Sequence, residues 1–131
     1  MLDCTVLPRR DDKPNKLAEQ YIGVWMERDP EPRRRRIADL WVVDGEHCVE
    51  SRKVVGYDAL EKRILESHDE FVRDGGNCFR AIAGARREGD VVTFYWEKLP
   101  ANSETVLSEG LEFMVVSAAG KIIQDYQFYP A

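Results

Sequence analysis

The spacing of apolar residues changes period near the middle of the chain. From Asn15, Leu17, Tyr21, Val24 and Trp25 recur at i, i+4, i+7 and i+8 and share one helical face. Asp29-Pro30 stops this helix and starts a second, with Asp as N-cap, Pro in the first helical position and Glu31 in the first turn, where the helix dipole favours an acid. Ile37, Leu40 and Trp41 form the buried stripe of that helix, which is expected to end near Asp44-Gly45. Residues 47–51 read as a short strand. Gly56 precedes a third helix over 58–73, with Leu60, Ile64, His68, Phe71 and Val72 as its apolar line and Gly75-Gly76 as its stop. After Gly76 the period falls to 2. Phe79, Ala81, Ala83 and Ala85 alternate with Arg80, Ile82 and Arg86; Glu88-Gly89-Asp90 makes a hairpin turn; Val92, Phe94 and Trp96 alternate with Thr93, Tyr95 and Glu97. Residues 99–103 are a loop, 105–116 a long strand, Ala119-Gly120 a turn and 121–129 the last strand.

Helices followed by an antiparallel meander predict an α+β fold with the helices on one face of the sheet. Long meander strands twist, and a twisted sheet wrapped around helices leaves an inner space suited to a small molecule. In the strand before the last, Glu112, Met114 and Val116 share one face and Leu111, Phe113 and Val115 the other. Both faces are largely apolar, whereas a solvated antiparallel sheet is polar on one, so a twofold homodimer is expected on the outer face. Residues 1–14, punctuated by Pro8 and Pro14, read as a loose arm, and 15–131 as a single domain.

Composition narrows the function. A chain of 131 residues is one domain large enough for a core. With 19 basic and 24 acidic residues the net charge is −5, which argues against a highly basic nucleic-acid binder, and 44% hydrophobic content excludes a disordered acidic tail. Arg33 to Arg36, the one charge run, read as a solvated face with an ion pair to Asp29, Glu31 or Asp39. Cys4, Cys48 and Cys78 are far apart and odd in number, so neither a zinc nor a disulfide framework is expected; Cys48 and Cys78 read as buried thiols in a reducing compartment. The first residues carry no apolar signal core and no run approaches the ~18 residues of a membrane span, so a cytoplasmic protein without a membrane partner is expected. No P-loop, dinucleotide fingerprint, nucleophile elbow or HExxH occurs, and no cofactor or metal is expected.

Glu112 is the strongest chemical candidate. It shares the phase of Met114 and Val116; on the inside it is a carboxyl in an apolar cavity, whose desolvation raises its pKa toward neutrality, and on the outside it is a surface acid or an arginine partner. Tyr21, on the buried face of the first helix, is either a carbonyl-polarising hydroxyl or a core tyrosine bonded to backbone. His68, on the apolar line of the third helix, is either a pocket acid/base or a satisfied core histidine, whereas His47 lies on no helical line. Trp25, Trp41 and Trp96 sit at core spacing and could also stack a flat ligand, with Phe71 and Met114 as further contacts. Asp125, on the last strand, is a pocket or interface candidate.

The order helix, helix, short strand, helix and meander resembles the nuclear transport factor 2-like superfamily, and the SnoaL-like group within it. The residues that carry the resemblance run from Tyr21-Ile22-Gly23-Val24-Trp25 with Asp29-Pro30, through Ile37-Ala38-Asp39-Leu40-Trp41, Gly56-Tyr57, His68 with Phe71, and Phe94-Tyr95-Trp96, to Gly110-Leu111-Glu112, Gly120-Lys121-Ile122 and Phe128-Tyr129. The resemblance covers about residues 16 to 130. It implies a cystatin-like cone, three N-terminal helices packed on a curved, mostly antiparallel sheet. That superfamily includes ketosteroid isomerases, polyketide cyclases, scytalone dehydratases, limonene epoxide hydrolases and non-catalytic binding or transport modules, so fold does not settle chemistry. Tyr21 and Glu112 match the places of the ketosteroid isomerase's oxyanion-hole tyrosine and protonated aspartate, an enzyme long used to illustrate a carboxylic acid kept neutral as a donor. Where that isomerase has its general base, Val49-Glu50 is followed by Ser51, a neutral side chain that cannot serve as a base but can contact a ligand. The resemblance thus implies a small-molecule binder with Tyr21, His68 and Glu112 available for isomerase-, cyclase- or dehydratase-like acid/base work on an apolar carbonyl compound, or else a non-catalytic dimeric ligand-binding or protein-interaction module.

Overall fold

The computed structural model describes residues 13–129. Its elements are α1 (Lys13–Met26), α2 (Pro30–Leu40), β1 (Trp41–Val49), β2 (Arg52–Val55), α3 (Tyr57–Ser67), a π-helical turn (His68–Arg73), and then β3 (Asn77–Ala81), β4 (Arg86–Glu88), β5 (Val91–Pro100), β6 (Ser108–Val116) and β7 (Ile122–Phe128). The expected N-terminal arm, Cys4 included, lies outside the described residues except for Lys13 and Pro14, which already belong to α1. Three helices pack on one curved sheet of order β2-β1-β7-β6-β5-β3, with β4 also paired to β5. All pairings are antiparallel except β1 with β7. This is the α+β arrangement expected from the period change.

Three local expectations need correction. Trp41 does not continue α2: its backbone is extended, and the chain passes from helix to strand with no loop between. Ile37, Leu40 and Trp41 are all buried, but the burial of Trp41 comes from the sheet, and the β-branched Val42-Val43 favour the strand. The strand read at 47–51 is instead the end of a nine-residue β1, followed by a hairpin to β2 through Glu50 and Ser51 at φ 49° and 33°. The third helix keeps α-geometry only to Ser67, and the amide of Asp74 then bonds the carbonyl of Asp69, the i+5 spacing of a π-turn.

The arginine run is also more than a solvated face. Arg33 is buried, with Nε donating to the Glu27 carbonyl at 3.1 Å and Nη2 to the Arg28 carbonyl at 2.9 Å, so it clamps the link between α1 and α2. Arg34, Arg35 and Arg36 pair with Glu61, Glu31 and Glu27 at the surface, where each pair contributes little. Cys48 and Cys78 are half-exposed rather than buried. Among the described residues no helix is long and apolar enough to cross a membrane.

The core lies between the helices and the inner face of the sheet. Ala18, Tyr21, Val24 and Trp25 of α1 and Leu60 and Ile64 of α3 meet Phe94, Trp96, Met114 and Val116.

Candidate functional site

Strand register sets the inner face row by row. His47 of β1 faces Asp125 of β7, which faces Met114 of β6; in the next row Gln127 faces Glu112, which faces Phe94. Glu112 and Asp125 are therefore diagonal neighbours on adjacent strands, close enough to interact. Helix α1 crosses above them and lowers Tyr21 between the two. The Tyr21 hydroxyl lies 2.5 Å from Asp125 Oδ2 and 3.0 Å from Glu112 Oε1. His47 Nδ1 lies 2.7 Å from the same Asp125 oxygen, and Trp96 Nε1 donates to Glu112 Oε2 at 2.8 Å. His47, Glu112 and Asp125 are wholly buried and Tyr21 nearly so.

Trp96 reaches Glu112 because its neighbour across the sheet is Gly110. A Cβ on Gly110 would stand 2.1 Å from Trp96 Cζ2, so the indole lies flat over bare backbone and only glycine leaves it room.

The protons of this network can be counted. Burial, and then the Asp125 charge, push Glu112 well above the usual carboxylate range. Burial alone would raise Asp125 too, but His47, with the Glu112 carboxyl and the Tyr21 hydroxyl, outweighs it and holds Asp125 below its ordinary value. Tyr21 is pushed upward by burial and by the two carboxyls, so it keeps its proton. One phenol proton cannot serve two acceptors. Tyr21 donates it to the ionised Asp125, and the contact with Glu112 requires Glu112 to be the protonated partner. The result is one anion, Asp125, backed by His47, and one neutral carboxylic acid, Glu112, held by Tyr21 and Trp96.

This network forms one end of a narrow cleft of about 470 Å³, its open mouth included. Tyr21, Glu112 and Trp96 face the cleft, whereas His47 and Asp125 stand behind them. Trp25, Phe71 and Phe79 supply aromatic wall; Ser67, Ser108 and Gln127 add polar groups; Ile22, Arg63, Lys98 and Tyr129 complete the lining. The π-turn is what carries Phe71 here.

Of the residues singled out in the sequence, Tyr21, Glu112, Trp25, Trp96 and Phe71 are thus brought together. Four are not. His68 is buried outside the cleft lining, with Nδ1 4.0 Å from Asp69; burial first, and then the Arg33 charge, lower its pKa. Its neighbour Ser67 faces the cleft in its place. Trp41 and Met114 are in the core, and Ser51 is exposed at the tip of the β1–β2 hairpin. His47, Arg63 and Lys98 had not been singled out. The strand phase carried a signal for His47, whose alternation with Val49 places both on the inner face.

His47, Glu112 and Asp125 each offer a metal-ligand atom, all within 4.8 Å of one another. Asp125 Oδ2 takes the His47 and Tyr21 hydrogen bonds, whereas Asp125 Oδ1 and His47 Nε2 are buried without a partner among the described residues. A metal bound here would have to displace the proton that burial favours on Glu112.

No family model matches the chain, and no curated protein matches its sequence. The fold, in contrast, is widely shared. A SnoaL-like protein from Agrobacterium tumefaciens, provisionally assigned as an isomerase, superposes with a TM-score of 0.79 over 89% of this chain and 97% of its own at 18% identity. A SnoaL-like protein of unknown function from Burkholderia thailandensis gives 0.67 over 90% and 94% at 13% identity. A SnoaL-like protein from Jannaschia, provisionally assigned as a polyketide cyclase, gives 0.65 over 87% and 85% at 13% identity. The fold is that of the nuclear transport factor 2-like superfamily.

Proposed function

We propose, for this chain with its nuclear transport factor 2-like fold, that the cleft binds a small carbonyl compound and that Glu112, positioned by Tyr21, holds the carbonyl oxygen for acid/base chemistry of the isomerase, cyclase or dehydratase kind. The observation that carries this reading is a wholly buried carboxyl, Glu112, bonded to Tyr21 and Trp96 in the wall of an aromatic-lined cleft, where burial pushes it well above the usual carboxylate range. A carboxyl kept protonated at neutral pH can donate a hydrogen bond or a proton to a developing oxyanion. In the proposed step, Glu112 passes its proton to the carbonyl oxygen as water at the open mouth takes a proton from the adjacent carbon; the enol forms, and the reverse transfers restore Glu112. Asp125 and His47 keep Tyr21 oriented and do not touch the ligand.

The test is solvent-deuterium exchange into the methyl group of methyl 4-acetylbenzoate, followed by NMR. The protein is expected to accelerate exchange, Glu112→Gln to abolish the acceleration while retaining binding, and Tyr21→Phe to weaken both. Absence of any binding, or exchange unchanged in Glu112→Gln, overturns the catalytic reading.

A second reading has its own support. The outer face of the sheet exposes Tyr95, Phe113 and Phe128, with Leu111, Val115 and Tyr126 half-buried between them. Such a patch suits a second copy of the chain, and a non-catalytic dimeric module would bind the ketone without promoting exchange.

A further inference from the structure

The cleft's charge is as informative as its carboxyl. Arg63 lies with its guanidinium carbon 5.5 Å from the centre of the Trp25 ring, and Lys98 has Nζ 4.3 Å from the centre of the Phe71 ring. Both line the cleft. Among the described residues neither has an ion-pair partner, whereas Arg34, Arg52, Arg73 and Arg80 all do. Arg63 Nε is buried and has no hydrogen-bond partner among them. The only carboxyl in the lining is Glu112, which is neutral. In a chain whose net charge is −5, one small cleft therefore carries two cations and no anion.

Their position is set by the sheet. Lys98 pairs with Ser108, four residues along β6 from Glu112, which separates the two rows by about 13 Å of strand. Both rows open on the same cleft, with Lys98 and Ser108 toward one end and Glu112 in the other row. Aromatic faces beside Arg63 and Lys98 take up part of their hydration space, so an anion placed there meets weakly hydrated cations.

We infer that the ligand of this cleft is a small aromatic or flat apolar carboxylic acid, its carboxylate held by Arg63 and Lys98 and its carbonyl or hydroxyl oxygen directed to Glu112. This rests on reading the cleft as a carbonyl-binding site and adds the chemical class of what enters it. Arg63 offers a fork of donors that matches a carboxylate, and Lys98 adds a point charge.

The probes are 4-acetylbenzoate and 3-benzoylpropionate, which place a ketone and a carboxylate at different separations, each with its methyl ester. Calorimetric titration uses the full chain at pH 7 in low salt. At least one acid is expected to bind about tenfold or more tightly than its ester. Arg63→Met and Lys98→Met, which keep the aliphatic packing, are each expected to lower acid affinity about tenfold and leave the ester unchanged, with circular dichroism confirming that both variants fold. Raising salt is expected to weaken the acid and spare the ester. Equal affinity for acid and ester, acid affinity unchanged in both methionine variants, or no binding by either acid overturns the inference. Equal affinity leaves the carbonyl-binding reading standing. Acid binding that falls in Arg63→Met but is indifferent to Tyr21→Phe and Glu112→Gln supports the anion site and removes the oxyanion role.

Discussion

Strand β6 has two faces that reverse the usual order. Glu112 points inward and is wholly buried, while its neighbour Phe113 points outward and is 37% exposed. Most half-buried strands place the apolar side chain inside and the acid outside. The inner face tolerates an acid because it removes the charge: desolvation and Asp125 keep Glu112 protonated, and Tyr21 and Trp96 satisfy its oxygens. The outer face has no such device, and its apolar side chains remain available for association. Buried polarity and exposed apolarity on one strand correspond to the two readings proposed above, one chemical and one of assembly.

Substitutions on the two faces should break this comparison unequally. The largest effect is expected at Asp125. Asp125→Ala leaves His47 and the Tyr21 hydroxyl facing no anion, and urea unfolding should show a loss of about 3–5 kcal/mol. Next is Gly110→Ala, whose new methyl group must displace the Trp96 ring; about 1–3 kcal/mol should be lost, with a shift in tryptophan fluorescence as the indole leaves Glu112. On the outer face, Phe113→Ser should change the stability of the monomer by about 1 kcal/mol or less, yet lower the sedimentation-equilibrium mass of the proposed dimer toward that of one chain.

The pH dependence of stability sharpens the same contrast. Glu112 is raised above its ordinary 4.5, so its folded form binds the proton more tightly than its unfolded form. The stability this contributes is full below pH 4.5 and is lost as pH rises toward the folded value, with a slope of at most about 1.4 kcal/mol per pH unit. Asp125 is lowered from 3.8, so its contribution is present above that pH and lost on acidification through the folded value. Glu112→Gln, neutral at every pH, should flatten the alkaline limb of an unfolding series and leave the acid limb in place. The smallest effect is expected at Ser51→Gly: it relieves a left-handed backbone angle, and thermal unfolding should show a gain of under about 1 kcal/mol with no change at the cleft.

What could be read in advance follows from the range of each signal. Turns that use glycine, such as Glu88-Gly89-Asp90 and Ala119-Gly120, announced themselves. The β1–β2 hairpin did not, because Glu50 and Ser51 adopt its positive φ angles without the Asn-Gly or Asp-Gly that marks such turns. Trp41 was misplaced because no residue punctuates the passage from α2 to β1. Tyr21 and Glu112 were legible from phase alone, since periodicity tells which face a residue takes. Periodicity cannot tell which strand lies beside which, so the meeting of His47 with Asp125 across 78 residues stayed hidden. His68 misled for a related reason: its apolar line was real and it is buried, but that line does not face the cleft at His68, where Ser67 lines it instead.

The parallel pairing of β1 with β7 has a consequence for synthesis and folding. Every other strand pair can close from chain already made nearby, but β1 waits for the last strand to emerge, and with it for Asp125. His47, Tyr21 and Glu112 therefore have no anion to organise them until the C-terminal strand docks. Long-range closures of this kind raise contact order and slow folding, so the network is expected to assemble in the final step. A chain cut short before residue 122 would lack Asp125 along with the Gln127 and Tyr129 wall of the cleft, so binding and folding would be lost together.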